Sequence, residues 1–147
     1  MEKVKIAWTG PYSIKSAIEK FNNYEDFGIY MITRLWGGET ETLLYIGRVY
    51  GLKYGRCFAD RLAEHKSWLD ECRGEIRVRI GKIKQSSGKK ASYKRTNGIE
   101  SLLIFSHKPT ENIQSTSWYY GREMRVLNLG RKGPLKTEIY SEDYREN

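Results

Sequence analysis

The chain has 147 residues and a formal charge of +8, a length that fits one compact domain because single domains cluster at about 100–150 residues. Hydrophobic residues make up 39% of it against 30% charged, enough to bury a core, which excludes disorder as the whole account; no apolar run reaches the roughly 20 residues of a membrane-spanning helix. The positive charge favours polyanionic partners, phosphate backbones above all, and an aromatic fraction of 13% offers rings for stacking on bases.

Two cysteines (Cys57, Cys72) and two histidines (His65, His107) give neither a zinc-ligand spacing nor a disulfide framework, so reduced thiols are expected. The segment Met1 to Lys5 has no secretory hydrophobic stretch, and a cytoplasmic address with no membrane partner is the expectation.

Residues 13–21 set Ile14, Ala17, Ile18 and Phe21 at helical spacing behind Ser13, a good N-cap, and predict a short amphipathic helix. Residues 28–33 and 42–50 are rich in β-branched and aromatic side chains and flank a loop with Gly37-Gly38, the pattern of a β-hairpin. A regular ladder there puts Tyr30 and Tyr45 on one face. Residues 56–72 carry Phe58, Leu62, Leu69 and Cys72 on one helical stripe, with Arg61 and His65 one turn apart beside it. Residues 75–83 alternate Ile76, Val78 and Ile80 with Arg77 and Arg79, which predicts a third strand with one apolar and one basic face. The stretch 84–97 is dominated by Lys, Arg, Ser and Gly and predicts a mobile basic arm. Asn97 is placed to cap a helix over Ile99 to Phe105 that Pro109 ends, and residues 123–130 and 137–140 predict a last hairpin.

Taken singly, the polar residues of these elements have structural explanations. Tyrosine is ordinary in a strand. Arg61 can pair with Asp60 or Glu64 on a solvated helix face, and Asn97-x-x-Glu100 has the spacing of a capping box. His65 fits a hydrogen-bonded structural histidine, and Asn112 fits a turn.

Their order is more specific than any one of them. Gly28-Ile29-Tyr30 lies on one strand and Tyr45-Ile46-Gly47 on the next; Arg61 and His65 follow on a helix, Glu100 on a later helix, then Lys108-Pro109-Thr110-Glu111-Asn112. Over about residues 27–114 this resembles the GIY-YIG nuclease family. The resemblance implies a small α/β domain, a three-stranded antiparallel sheet flanked by helices, to which an N-terminal helix and an extra C-terminal β-hairpin over residues 115–147 would be additions.

It also implies a divalent-metal-dependent DNA endonuclease. In that scheme Glu100 anchors one Mg2+ or Mn2+, Arg61 donates to the phosphate in the transition state, and Tyr30 takes the proton of the attacking water. Tyr45 would position water or phosphate, and Asn112 the substrate or the helix end. A free phenol titrates at about 10, so Tyr30 needs help, and His65 or a lysine is the expected accomplice. The basic residues Arg77, Arg79, Lys84, Lys89, Lys90, Lys94 and Arg95 are expected on the DNA backbone, with a plain solvated surface as their alternative. A restriction-type or mobile-element enzyme fits this picture, and a symmetric homodimer would cut both strands. A non-catalytic nucleic-acid-binding module of the same fold, and a structure-specific or RNA-processing nuclease, are the competing functions.

Overall fold

Residues 2–12 alternate Val4, Ile6 and Trp8, all buried, with exposed Lys3 and Lys5, and a period of two is the signature of a strand with one face inward. In the computed structural model, which describes residues 2–24, 26–38, 40–51, 55, 57–84, 92–112, 119 and 121–144, this segment is β1 (Glu2–Tyr12). After it come α1 (Ile14–Lys20), β2 (Gly28–Leu35), β3 (Thr42–Val49), α2 (Phe58–Glu64), α3 (Lys66–Leu69), β4 (Glu75–Lys84), α4 (Tyr93–His107), β5 (Met124–Gly130) and β6 (Glu138–Tyr140).

The strands form one six-stranded sheet in the order β3-β2-β4-β1-β5-β6. Its pairs are antiparallel except β1 with β5, which is parallel. The expected three-stranded antiparallel sheet with a separate C-terminal hairpin is thereby overturned; the architecture is α+β with one mixed sheet. The cause is β1. It pairs with β4 along one edge and β5 along the other, so it fuses the antiparallel β3–β2–β4 group and the β5–β6 hairpin into a single sheet.

Two helical layers cover that sheet. Ile99, Leu102 and Leu103 of α4 share a buried cluster with Ile6, Trp8, Ile29, Met31, Ile46 and Val126. On the opposite face Ala17, Phe58, Leu62 and Leu69 cluster with Tyr30, Ile32, Leu44, Val78 and Ile80. Each fully buried aliphatic or aromatic side chain contributes about 1.5–3 kcal/mol, so both layers stabilise the sheet between them.

The predicted helix over 56–72 is broken at His65, where the backbone N–H bonds Leu62 O at 3.1 Å and α2 gives way to α3. Residues 85–91 of the expected basic arm lie outside the described residues, and its last part is helical. Ser92 caps α4, its side chain accepting the Arg95 N–H at 3.1 Å, so Lys94 and Arg95 belong to the first turn of a helix. Asn97 and Glu100 therefore lie inside α4 and form no capping box; serine caps as well as asparagine does, and buried Thr96 extends the apolar stripe one turn earlier. Lys108 closes α4 in the left-handed conformation (φ 46°), just before Pro109. Among the described residues no helix is long and apolar enough to cross a membrane.

Candidate functional site

The β2–β3 ladder explains why glycines sit where they do in the two triplets. Tyr30 lies opposite Gly47, and a Cβ on Gly47 would stand 2.3 Å from the Tyr30 ring and hydroxyl. A Cβ on Gly28 would likewise meet the Phe58 ring at 2.3 Å. Two aromatic rings press on bare backbone there, a close approach only glycine permits. Tyr45 pairs with Ile32, two residues along from Tyr30, so the two phenols share a face, stacked with ring centres 6.0 Å apart and planes at 28°.

The break between α2 and α3 aims His65 at this pair. Its Nε2 lies 2.7 Å from the Tyr30 hydroxyl, and the Trp68 indole donates to its Nδ1 at 3.0 Å. An indole N–H can only donate, so Nδ1 is an acceptor and the neutral ring carries its hydrogen on Nε2. His65 therefore donates to the Tyr30 oxygen, and the phenolic hydrogen of Tyr30 is directed elsewhere. In this tautomer His65 cannot receive the Tyr30 proton, which reverses the direction expected of that partnership. Burial, with Arg61 adding to it, holds the His65 pKa down at about 4, so the ring is neutral at pH 7. Burial pushes the Tyr30 phenol well above its usual range; Tyr45 and Glu100 add to the rise and Arg61 opposes it.

On the other face of β3, residues 48 and 50 turn toward α4. The Arg48 Nη1 bonds the Glu100 carboxylate at 2.6 Å, Arg48 Nε donates to the Tyr50 hydroxyl at 2.7 Å, and that hydroxyl donates to Asn97 Oδ1 at 2.6 Å. Strand neighbours two apart meet helix neighbours three apart, so the periods of the two elements match over one turn. Glu100 is 7% exposed. Its burial raises the carboxyl pKa, against the pull of Arg48 and then Arg61.

β3 is an edge strand, and Asn112 closes its open side. The Asn112 amide accepts from Ile46 N and donates to Ile46 O, both at 2.9 Å, while Glu111 N bonds Leu44 O at 2.8 Å. This imitates a further strand and protects the edge. A groove of about 410 Å³ follows that edge, lined by Tyr45, Arg48, Arg61, Glu100, Ile104, Glu111 and Asn112. Of the residues singled out from the sequence, Tyr45, Arg61, Glu100 and Asn112 thus meet in one place, drawn from both faces of the sheet. Tyr30 and His65 lie behind Tyr45, and Tyr30 is fully buried. Arg61 also pairs with Glu64 at 3.1 Å.

The basic residues are dispersed. Arg77 bonds Glu41 and Glu75, and Arg79 is 6% exposed and paired with Glu41. The expected basic strand face is absent because Glu41 neutralises both arginines of that face. Arg95 pairs with Glu2; Lys84 and Lys94 are exposed. Lys89 and Lys90 lie outside the described residues. Sequence pattern singles out none of Arg48, Tyr50 and Trp68, and Glu111 only as part of the Lys108–Asn112 segment. Arg48 directly follows Tyr45-Ile46-Gly47 and alternates with Tyr50, yet no spacing rule links it to a glutamate so far along the chain.

Among the described residues no three His, Cys, Asp or Glu side chains gather to hold a metal ion. Glu100 lines the groove with its carboxylate turned to Arg48, and one carboxylate suits Mg2+, which takes one or two and completes its shell with water and phosphate. In comparison with known proteins, the chain matches no family model, no curated protein and no solved structure.

Proposed function

We propose that the chain is a GIY-YIG-like endonuclease that hydrolyses a DNA phosphodiester in the groove along the free edge of β3. The observation that carries this is the convergence of Tyr45, Arg61, Glu100 and Asn112, from four separate segments, on that one groove. Nothing in the packing of an edge strand requires a buried glutamate, an arginine and a phenol at the same opening, whereas a phosphodiester uses all three.

Arg61 would hold the non-bridging oxygens, since a planar guanidinium donates two parallel, charge-assisted hydrogen bonds to a phosphate. The Tyr45 hydroxyl, the phenol that reaches the groove, would position the phosphate or the attacking water. Asn112 acts through the backbone, fixing the segment after α4 against Ile46. Glu100 would hold Mg2+ or Mn2+, and such an ion when bound supplies Lewis-acid charge at the phosphate. Tyr30 keeps its role as proton acceptor only if the Tyr45 ring shifts to admit water. The Tyr30 proton would pass to a water admitted by that shift, and the Nε2–H of His65 would then donate to the phenolate oxygen that accepts the proton of the attacking water. Exposed Lys84 and Lys94 remain candidates for the DNA backbone. A cytoplasmic address suits such an enzyme.

Purified protein incubated with supercoiled plasmid and Mg2+ is expected to give nicked circles from a monomer, or linear DNA from a homodimer. Glu100→Ala is expected to end the cutting with an unchanged circular dichroism spectrum; persistent cutting by that variant would sink the assignment of Glu100. Duplex DNA, branched DNA and RNA compared side by side separate a structure-specific or RNA-processing enzyme from a duplex cutter.

One observation favours a second function, a nucleic-acid-binding module that does not cut: Tyr30 is fully buried and Glu100 is tied to Arg48. Gel-shift binding that is equal in EDTA and Mg2+, without strand scission on any substrate, would decide for it.

A further inference from the structure

The Arg48–Glu100 pair stands at the opening where the proposed cation would sit, and its geometry is that of a placeholder. The Glu100 side chain is 10% exposed and the Arg48 side chain 31%. A carboxylate so far out of water needs a counter-ion at all times, because a buried charge without a partner is strongly destabilising. Arg48 meets that need through Nη1, at 2.6 Å from Glu100 Oε1. It is held at a second point, Nε on the Tyr50 hydroxyl, and Tyr50 is itself anchored on Asn97. The guanidinium is thus held at two edges, Nη1 on Glu100 and Nε on Tyr50, and the Tyr50 contact keeps the side chain at the groove when the Nη1 contact opens.

Resting on the nuclease function above, we propose that Arg48 and a divalent cation exchange at the Glu100 carboxylate, with Arg48 pivoting on the Tyr50 hydroxyl into the groove when the cation takes the oxygen. The two cannot share Oε1, the oxygen that Arg48 holds. A cation such as Mg2+ approaches a carboxylate oxygen to about 2.0–2.1 Å, which leaves a guanidinium bonded to the same oxygen facing a like charge at close range. Arg48 has room to leave, since it lines the same groove as Arg61, Glu100 and Glu111. The exchange keeps the buried carboxylate neutralised throughout and admits the cation only against competition, so the site should bind metal weakly until Arg48 is released.

The test is a Mn2+ titration without DNA, followed by the loss of the free-ion electron paramagnetic resonance signal, on the full chain and on Arg48→Ala, Tyr50→Phe and Glu100→Gln. Arg48→Ala is expected to bind Mn2+ about tenfold more tightly or better than the parent. Tyr50→Phe, which removes the Nε contact and leaves both charges, is expected to shift affinity in the same direction by a smaller factor, and it covers the case in which Arg48→Ala does not fold. Glu100→Gln should lose the site. Affinity that is unchanged or weaker in both Arg48→Ala and Tyr50→Phe overturns the exchange, as does Mn2+ binding that survives Glu100→Gln, or no binding by any form. Plasmid cutting by the parent alongside unmoved Mn2+ affinities removes the exchange and leaves the nuclease function standing. A tighter Arg48→Ala site in a chain that cuts nothing does the reverse.

Discussion

The two faces of β3 hold polar groups by opposite means. Toward α2, Tyr30, His65 and Trp68 form a neutral chain in which the Trp68 indole sets the His65 tautomer and His65 donates to Tyr30, and burial suppresses charge on both titrating rings. Toward α4, Arg48 and Glu100 face each other as ions, steadied by Tyr50 and Asn97 and partly open to solvent. A neutral chain fixes orientation and resists change; a charged pair can trade one partner for another. The strand between them belongs to both, which is how an edge strand can join a rigid side to an exchangeable one at a single groove.

The largest expected effect tests the charged side. If Glu100 is the anchor of the chemistry, Glu100→Gln lowers the plasmid-nicking rate by roughly 10²–10³-fold, the scale of losing one well-placed electrostatic group in an active site. A rate within about threefold of the parent, well inside the scatter of surface substitutions, would show that the groove works without it.

Next comes the pH dependence of stability, in which the two faces have opposite signs. His65 has a folded pKa of about 4 against an ordinary 6.5. Between those values the unfolded chain binds more protons, so the His65 contribution is complete above pH 6.5 and is lost as the pH falls toward 4. It amounts to at most about 3 kcal/mol. Glu100, with its pKa raised, opposes this: its contribution is present at low pH and is lost as the pH rises through its folded pKa. Urea denaturation of the parent and of His65→Gln at pH 7 and pH 4.5 isolates the histidine. The parent should lose more stability than the variant between the two conditions, and equal losses would contradict a neutral, buried His65.

Gly47→Ala is expected to destabilise by about 1–3 kcal/mol, since the new methyl would stand 2.3 Å from the Tyr30 ring and overpacking costs that much in a close-packed interior. The urea midpoint reports it. A parent-like midpoint would mean that the ring moves freely and that the neutral side is less rigid than its contacts imply.

Trp68→Phe should have the smallest effect on stability, about 1 kcal/mol for one hydrogen bond. It would also free His65 Nδ1. Nitrogen-15 spectra of the imidazole should show the parent ring as the Nε2–H tautomer and a mixture of tautomers in the variant; identical ring shifts in the two would remove Trp68 as the residue that sets the proton.

Much of the local structure was legible from residue pattern. The first hairpin, α1 and its Ser13 cap, the end of α4 before Pro109 and the β5–β6 hairpin all follow from side-chain period and turn chemistry. Boundaries failed where two signals competed. Ser92 and Asn97 both cap well, and burial of Thr96 decided between them. The stripe over 56–72 is continuous in sequence, but His65 turns aside to reach Tyr30.

By itself the sequence determined which residue types occur in which order, because helical and strand periods are local and survive translation into one dimension. It therefore named Tyr45, Arg61, Glu100 and Asn112 without showing where they meet. Tertiary structure alone decided that β1 fuses two antiparallel groups into one mixed sheet, that Glu41 neutralises Arg77 and Arg79, and that Arg48 faces Glu100. Those facts are pairings across long separations along the chain. Burial and charge neutralisation select them only after the layers have packed, and no period in the sequence encodes them.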